Sequence, residues 1–309
     1  MYFFVSDKDS HSRYSFRSRG TLLLENMDSN NNGLITDTNQ IQHNDKRLFV
    51  FGKKFTNEIL DILIEKNAKF ICDISDYKFY KQDVIDLYTK AAKHCKFFVA
   101  TCEYLSKDVE RLFKTKCYVI ADLTERKQSN PIKKVFAKDD IVKLVCYGAR
   151  KNIHKVNFDI ILADLKTVQP NVHLDVVTNK NVDDPIWWTD WSFETQEEIV
   201  KNSDAILLPI FYNDKIEKFV KGKGNNRPID ALQQGKFVIT QSYIPSYIDL
   251  KDYIWTGNLL TGFEYFINNP NEVYQKVLMG QDHITKYYTP IKVVEKWLEL
   301  ERIVNETSL

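Results

Sequence analysis

The sequence predicts an α/β protein of two units, each a parallel sheet covered by helices. Three observations carry that expectation. Short apolar runs alternate with longer segments of helical period along the whole chain. The alternation pauses at one polar stretch containing Pro131 and then restarts. Finally, 309 residues exceed one typical domain and suit two of moderate size. A hydrophobic share of 43% is ample for two cores, and a net charge of +1 gives no bulk attraction to nucleic acid or anionic membranes.

In the first half the strand candidates are residues 2–6, 48–52, 69–74, 97–101 and 117–121, all rich in Phe, Val and Ile. Between them, TNEILDILIEKN and the 81–94 segment repeat apolar residues at helical spacing. Residues 121–136, ADLTERKQSNPIKKVF, turn polar and read as a linker. The second half offers strands at 141–148, 172–178, 185–188, 205–210 and 236–241, with helices at 153–167, 193–202, 226–234 and 270–285. The last segment, 289–304, reads as an amphipathic helix with Ile291, Val294, Trp297, Leu298 and Ile303 on its apolar face. The expected boundaries are a first domain over 1–125, a linker over 126–136, a second domain over 137–288 and a closing helix over 289–309. In open parallel sheets ligands bind beyond the carboxyl ends of the strands, so functional residues are expected just after strands.

Five cysteines (Cys72, Cys95, Cys102, Cys117 and Cys146) are an odd number without a CxxC pair, and four lie in or beside apolar runs. Buried, reduced thiols are expected rather than disulfides or zinc ligands. The first residues, MYFFVSDKDS, lack the basic region and apolar length of a signal peptide, and no apolar run reaches a membrane span. The expected compartment is the cytoplasm.

The most informative stretch is KFVKGKGNNRPIDALQQGKFVIT, residues 218–240. A basic, glycine-containing loop leads into a helix opening near Asn226, followed by Gly235 and a buried strand. A helix N-terminus presents unpaired N–H groups and partial positive charge, which favours an anion. Lys223 and Arg227 add formal charge, while Asp230, one turn in, suits ribose hydroxyls. The combination fits a nucleotide diphosphate. The plain alternative is a surface loop with a helix cap.

This stretch resembles the donor-binding element of family 4 glycosyltransferases, the glycosyltransferase group 1 enzymes. There, a Gly-rich loop precedes a helix carrying glutamate, then a glycine and a buried strand. Lys223, Asn226 and Arg227 match a K-x-x-N-R version of that loop, and Asp230–Ala231 stands where Glu–Ala is usual. SDAILLP (203–209) resembles the family's S-D-x-x-x-x-P segment. CYGARKNIHK (146–155) resembles the first strand and loop of the donor domain, so Arg150, Lys151 and Asn152 carry over as diphosphate contacts. One departure stands out: the family often has a first glutamate eight positions before the second, and position 222 is Gly.

The resemblance implies the GT-B architecture, two Rossmann-like domains facing across a cleft, with the closing helix crossing back to the first domain. It also implies an acceptor side in the first half. Asp73 and Asp76 end the 69–74 strand and match a D-x-x-D segment, so either carboxylate is a candidate base or acceptor contact; helix-cap chemistry is the alternative. Glu103 in TCEYLS is a weaker candidate. Arg13, Arg17 and Arg19 follow the first strand, where Arg17 and Arg19 are the expected contacts to a charged acceptor. Trp191, in the cluster with Trp187 and Trp188, is the candidate for stacking on the base, although most such aromatics are core. Residues 28–39 imitate a calcium loop at Asp28, Asn30, Asn32, Gly33 and Ile35, but Asn39 replaces the bidentate glutamate, so a polar loop is expected. Asp183–Asp184 before Pro185 reads as a turn.

The expected activity is transfer of a sugar (hexosyl or pentosyl) from a nucleotide diphosphate, with UDP favoured, to an acceptor hydroxyl. Neither a metal nor a separate cofactor is expected, and by resemblance the anomeric configuration is retained. The acceptor stays open among glycan, lipid, small molecule and nucleic acid. A non-catalytic nucleotide-sugar binding module on the same fold, or a nucleotide-sugar epimerase, are the rival readings.

Overall fold

The computed structural model describes residues 1–4, 17–27, 32–52, 55–210, 217–241 and 244–307; for Phe4, Arg17, Lys151 and Phe219 it describes the backbone alone. The chain divides into two compact units. Unit 1 comprises Met1–Glu125, Glu217–Asn226 and Lys286–Leu309, and unit 2 comprises Arg126–Ile216 and Arg227–Thr285. Each holds one six-stranded, wholly parallel sheet flanked by helices, the Rossmann-like arrangement expected.

Unit 1 contains β1 (Tyr2–Phe4), β2 (Gly33–Ile35), β3 (Leu48–Phe51), β4 (Lys69–Ile74), β5 (Phe97–Ala100) and β6 (Lys116–Val119), in the order β2-β1-β3-β4-β5-β6. Its helices are α1 (Leu22–Leu24), α2 (Asn57–Glu65), α3 (Gln82–Ala91) and α4 (Glu103–Phe113). Helix α2 starts where the Thr56 hydroxyl accepts the Ile59 N–H at 3.3 Å. Helix α4 ends at Lys114, whose φ of 54° is left-handed.

Unit 2 contains β7 (Val142–Tyr147), β8 (Val172–Thr178), β9 (Thr189–Asp190), β10 (Ala205–Leu208), β11 (Phe237–Thr240) and β12 (Trp255–Thr256), in the order β12-β11-β10-β7-β8-β9. Helices α5 (Arg150–Ile153), α6 (Phe158–Val168) and α7 (Phe193–Asn202) precede a short α8 (Glu217–Lys221) that packs with unit 1. Then follow α9 (Asn226–Gln233), α10 (Leu259–Asn268) and α11 (Pro270–Tyr287), and last α12 (Pro290–Glu306), which belongs to unit 1. Asn157, Ser192 and Asn258 cap α6, α7 and α10 by accepting backbone N–H groups.

The closing helix α12 buries Val293, Val294, Trp297, Leu300 and Val304 against Met1, Phe3, Leu23 and Val50 of unit 1. Each such aliphatic side chain contributes about 1.5–3 kcal/mol when fully buried. Val294 and Trp297 are buried as expected, but Ile291 at 61% and Leu298 at 42% are exposed, because the buried stripe continues through Val293, Leu300 and Val304 instead.

Other expectations also need correction. Residues 185–188 are a turn, closed by Trp188 N–H to Pro185 O at 3.0 Å, and the strand is the following Thr189–Asp190. The polar 28–39 loop contains strand β2, hidden from sequence because only Leu34 and Ile35 are apolar there. Asp28 and Asn30 lie outside the described residues, while the Asn32 carboxamide accepts the N-terminal ammonium at 2.8 Å. Asn39 N–H donates to the Asp37 carboxylate. All five cysteines are buried and free. Among the described residues no helix is long and apolar enough to cross a membrane.

Candidate nucleotide site

The strand order of unit 2 reverses at β7, which has β10 on one side and β8 on the other. In doubly wound sheets that reversal opens a crevice at the carboxyl ends of the two strands. β7 ends in Tyr147–Gly148, and the N-terminal turn of α9 lies against it. The Tyr147 hydroxyl donates to Arg227 O at 3.0 Å, and Arg227 Nη1 lies 3.4 Å from Tyr147 O. A Cβ at position 148 would stand 3.2 Å from Arg227 Nη1, so glycine is what lets the guanidinium cross the strand end.

Asp230, one turn along α9, is buried at 5% exposure. Burial and then Asp230 push the Tyr147 phenol up, while Arg126 and Arg227 pull it down. Burial also raises the Tyr247 phenol, against the pull of Arg227 beside it. Arg126 is itself buried, 3.7 Å over the Phe193 ring and 3.9 Å from Glu197 Oε2. Two guanidinium groups, one buried carboxylate and a helix N-terminus therefore surround the end of β7. The arrangement favours an anion.

The remaining residues expected near a donor are spread over neighbouring strand ends. Arg150 opens α5, and its Nε bonds both oxygens of Asp184 at 2.6 and 2.8 Å. That hydrogen bond raises the Arg150 pKa and lowers that of Asp184. Thus the Asp183–Asp184 turn forms as expected, and it also engages Arg150. Lys151 lies in α5 with its side chain outside the description, and Asn152 is half-buried there. Trp191 follows β9, with its Nε1–H donating to Gln196 Oε1 at 2.7 Å. Lys223 is half-buried in the segment that packs with unit 1, and Asn226 begins α9.

That segment meets unit 1 through its glycines. A Cβ at Gly224 would stand 2.5 Å from Asp122 Oδ2, and one at Gly222 would stand 2.7 Å from Tyr77 Cβ. No side chain fits at 222 unless Tyr77 moves, so the absence of glutamate there follows from packing.

At the strand ends of unit 1 the charges close on one another. Arg19 is 5% exposed and clamps Asp73 with two bonds of 2.6 Å. Its Nη1 donates to Ile120 O at 2.8 Å and reaches Asp122 Oδ1 at 3.3 Å, and the guanidinium lies 5.6 Å from the Trp297 ring. Burial disfavours the Arg19 cation, yet Asp73 and Asp122 outweigh it and raise the pKa. Arg13 and the Arg17 side chain lie outside the described residues. Asp76, half-buried, lines with Asp73 and Tyr88 a cavity of about 60 Å³. Glu103 is the first residue of α4. Sequence reasoning missed Asp122, Arg126 and Tyr247. Asp122 and Arg126 sat in the polar stretch read as a linker, and Tyr247 carried no motif.

Two Rossmann-like domains of this kind make up the GT-B fold, and solved glycosyltransferases share it. The Anabaena protein Alr3699/HepE, crystallised with UDP, superposes with a TM-score of 0.64 at 8% identity, covering 100% of this chain and 99% of that one. The GtfA/B complex gives 0.59 at 12% identity, covering 86% and 58%. The pneumococcal O-GlcNAc transferase GtfA, in complex with UDP and GlcNAc, gives 0.53 at 10% identity with the same coverage. The chain thus spans 58% of the length of these two structures. No protein-family model and no curated protein matches the sequence. At such identity the likeness is one of fold.

Proposed function

We propose that the protein is a glycosyltransferase that takes its sugar from a UDP-sugar bound at the carboxyl end of β7. The observation that carries this is Arg227 on the N-terminal turn of α9, laid across Gly148 where the strand order of unit 2 reverses. The full-length fold likeness to HepE, crystallised with UDP, supports the same ligand. In this reading unit 2 is the donor side and unit 1 the acceptor side, the domain assignment expected from sequence.

Negative charge grows on the diphosphate as the glycosidic bond to it breaks. Arg227, Lys223 and the N–H groups from Asn226 onward stabilise that charge, and a preorganised cation site achieves this without a metal. Asp230 accepts hydrogen bonds from ribose, and Trp191 offers a face to the base. Arg150 bridges to the diphosphate by exchanging Asp184 for phosphate, with Lys151 and Asn152 beside it. Asp76 is the stronger candidate for the acceptor hydroxyl, because both oxygens of Asp73 are already held by Arg19. Arg19 therefore serves unit 1 as an internal clamp, and a charged acceptor is left to Arg17. Retention of configuration is carried over from the family resemblance.

One observation favours the binding-module reading: the packed Gly222 denies the site the first glutamate of the family. Thermal shift with UDP, GDP, ADP and their sugar conjugates addresses the donor. Selective stabilisation by UDP that disappears in Lys223→Ala/Arg227→Ala is expected, and indifference to all nucleotides would remove the proposal. Slow release of UDP from a stabilising UDP-sugar then separates an enzyme from a binding module.

A further inference from the structure

We propose that unit 2 carries a second site, for a small phosphate-bearing anion, at the amino ends of β10 and β11. These are the strand ends opposite to those of Arg227. A cavity of about 210 Å³ lies there, lined by Lys134, Lys201, Lys236, Asp204, Phe136 and Phe266 among others. The ammonium groups of Lys134 and Lys236 thus lie about one carboxylate, with Lys201 on the rim, and that carboxylate is already engaged. Asp204 Oδ1 accepts from Lys134 Nζ at 2.9 Å, and Oδ2 accepts the Lys143 N–H at 2.8 Å.

Lys236 is the unusual member. It is only 8% exposed, and its Nζ donates to Ser203 O at 2.6 Å and Lys201 O at 3.0 Å. Those bonds explain why it is tolerated at the end of α7, and an ammonium has one further proton to give. Burial lowers its pKa, and Lys134 lowers it further against the pull of Asp204. An anion between Lys134 and Lys236 would relieve both penalties.

The other wall is apolar. The Phe136 and Phe266 rings lie 5.5 Å apart, and Lys134 Nζ stands 4.8 Å from the Phe136 centroid. A phosphoryl group on the lysines with a compact carbon body against the rings suits the volume. The site assigns no part of the transfer chemistry and stands whether or not the nucleotide proposal does.

The test uses inorganic phosphate and phenyl phosphate as probes, with calorimetry on the full chain at constant ionic strength. Saturable binding is expected, several-fold tighter for phenyl phosphate, and weakened at least 10-fold by Lys134→Ala/Lys201→Ala. Arg227→Ala should leave the lysine-dependent component of that binding in place. Should Lys134→Ala prove unstable, Lys201→Glu at its exposed position gives the same reading with the Asp204 pair intact. Binding that survives the lysine changes but is lost in Arg227→Ala would assign the phosphate to the nucleotide site and overturn the proposal, as would the absence of saturable binding.

Discussion

The strand ends of the two sheets solve the same electrostatic problem in opposite ways. At the carboxyl ends of β4 and β6, Arg19 is enclosed with Asp73 and Asp122, and each charge finds its partner inside the unit. At the end of β7, Arg227 meets the Tyr147 carbonyl at 3.4 Å and the Tyr247 hydroxyl, both uncharged, and Arg126 adds a second cation near the buried carboxylate of Asp230. Parallel sheets built on one plan therefore differ in what remains for a ligand. A closed ion pair holds a fold in register; an excess of cations at a helix N-terminus holds an anion.

The largest expected effect breaks the closed cluster. Arg19→Met leaves the Asp73 carboxylate, 4% exposed, without its cation and should cost about 3–5 kcal/mol in urea denaturation. Arg19→Met with Asp73→Leu should recover much of that loss. A double variant no more stable than the single one would show that the pair contributes through something other than charge.

Next comes the segment bearing Lys223. Gly224→Ala places a methyl 2.5 Å from Asp122 Oδ2, and overpacking of that kind costs about 1–3 kcal/mol. Gly148→Ala presses on the end of a long side chain, at 3.2 Å, and also puts a side chain on a backbone with φ of 159°. Both variants should lose stability, while the thermal shift with UDP should fall more in Gly148→Ala. Equal losses of that shift in the two variants would erase the contrast between the strand ends.

The smallest effect concerns the exposed rim of unit 2. The Asp184 pKa is lowered by the Arg150 hydrogen bond, so its stabilising contribution is complete above the ordinary carboxylate value. It is lost as pH falls through the lower folded-state value. The melting difference between wild type and Asp184→Asn should be small at neutral pH and vanish in acid. A difference that grows in acid would contradict this sign.

Much of the fold was legible because burial of parallel strands leaves a local mark. VKLVCY and AILL are apolar on both faces, and nearly every one of those side chains is buried. Where that mark is weak, reading fails. The strand Gly33–Ile35 sits among Asn and Asp, and PIWW looked like a strand although Ile186 is 93% exposed. The same holds for the candidate site. Lys223, Asn226 and Arg227 announced themselves by loop composition, whereas Arg126, Asp122 and Tyr247 did not.

By itself, the sequence determined two parallel α/β units and a basic loop opening a helix, since periodicity and composition act over a few neighbouring residues. Only the tertiary structure decided that Arg19 belongs to Asp73, 54 positions away, and that Arg227 lies across Gly148. Only it showed that position 222 has no room for a glutamate. Charge pairing and steric fit act through space, and no local pattern in the chain records which distant residues will meet.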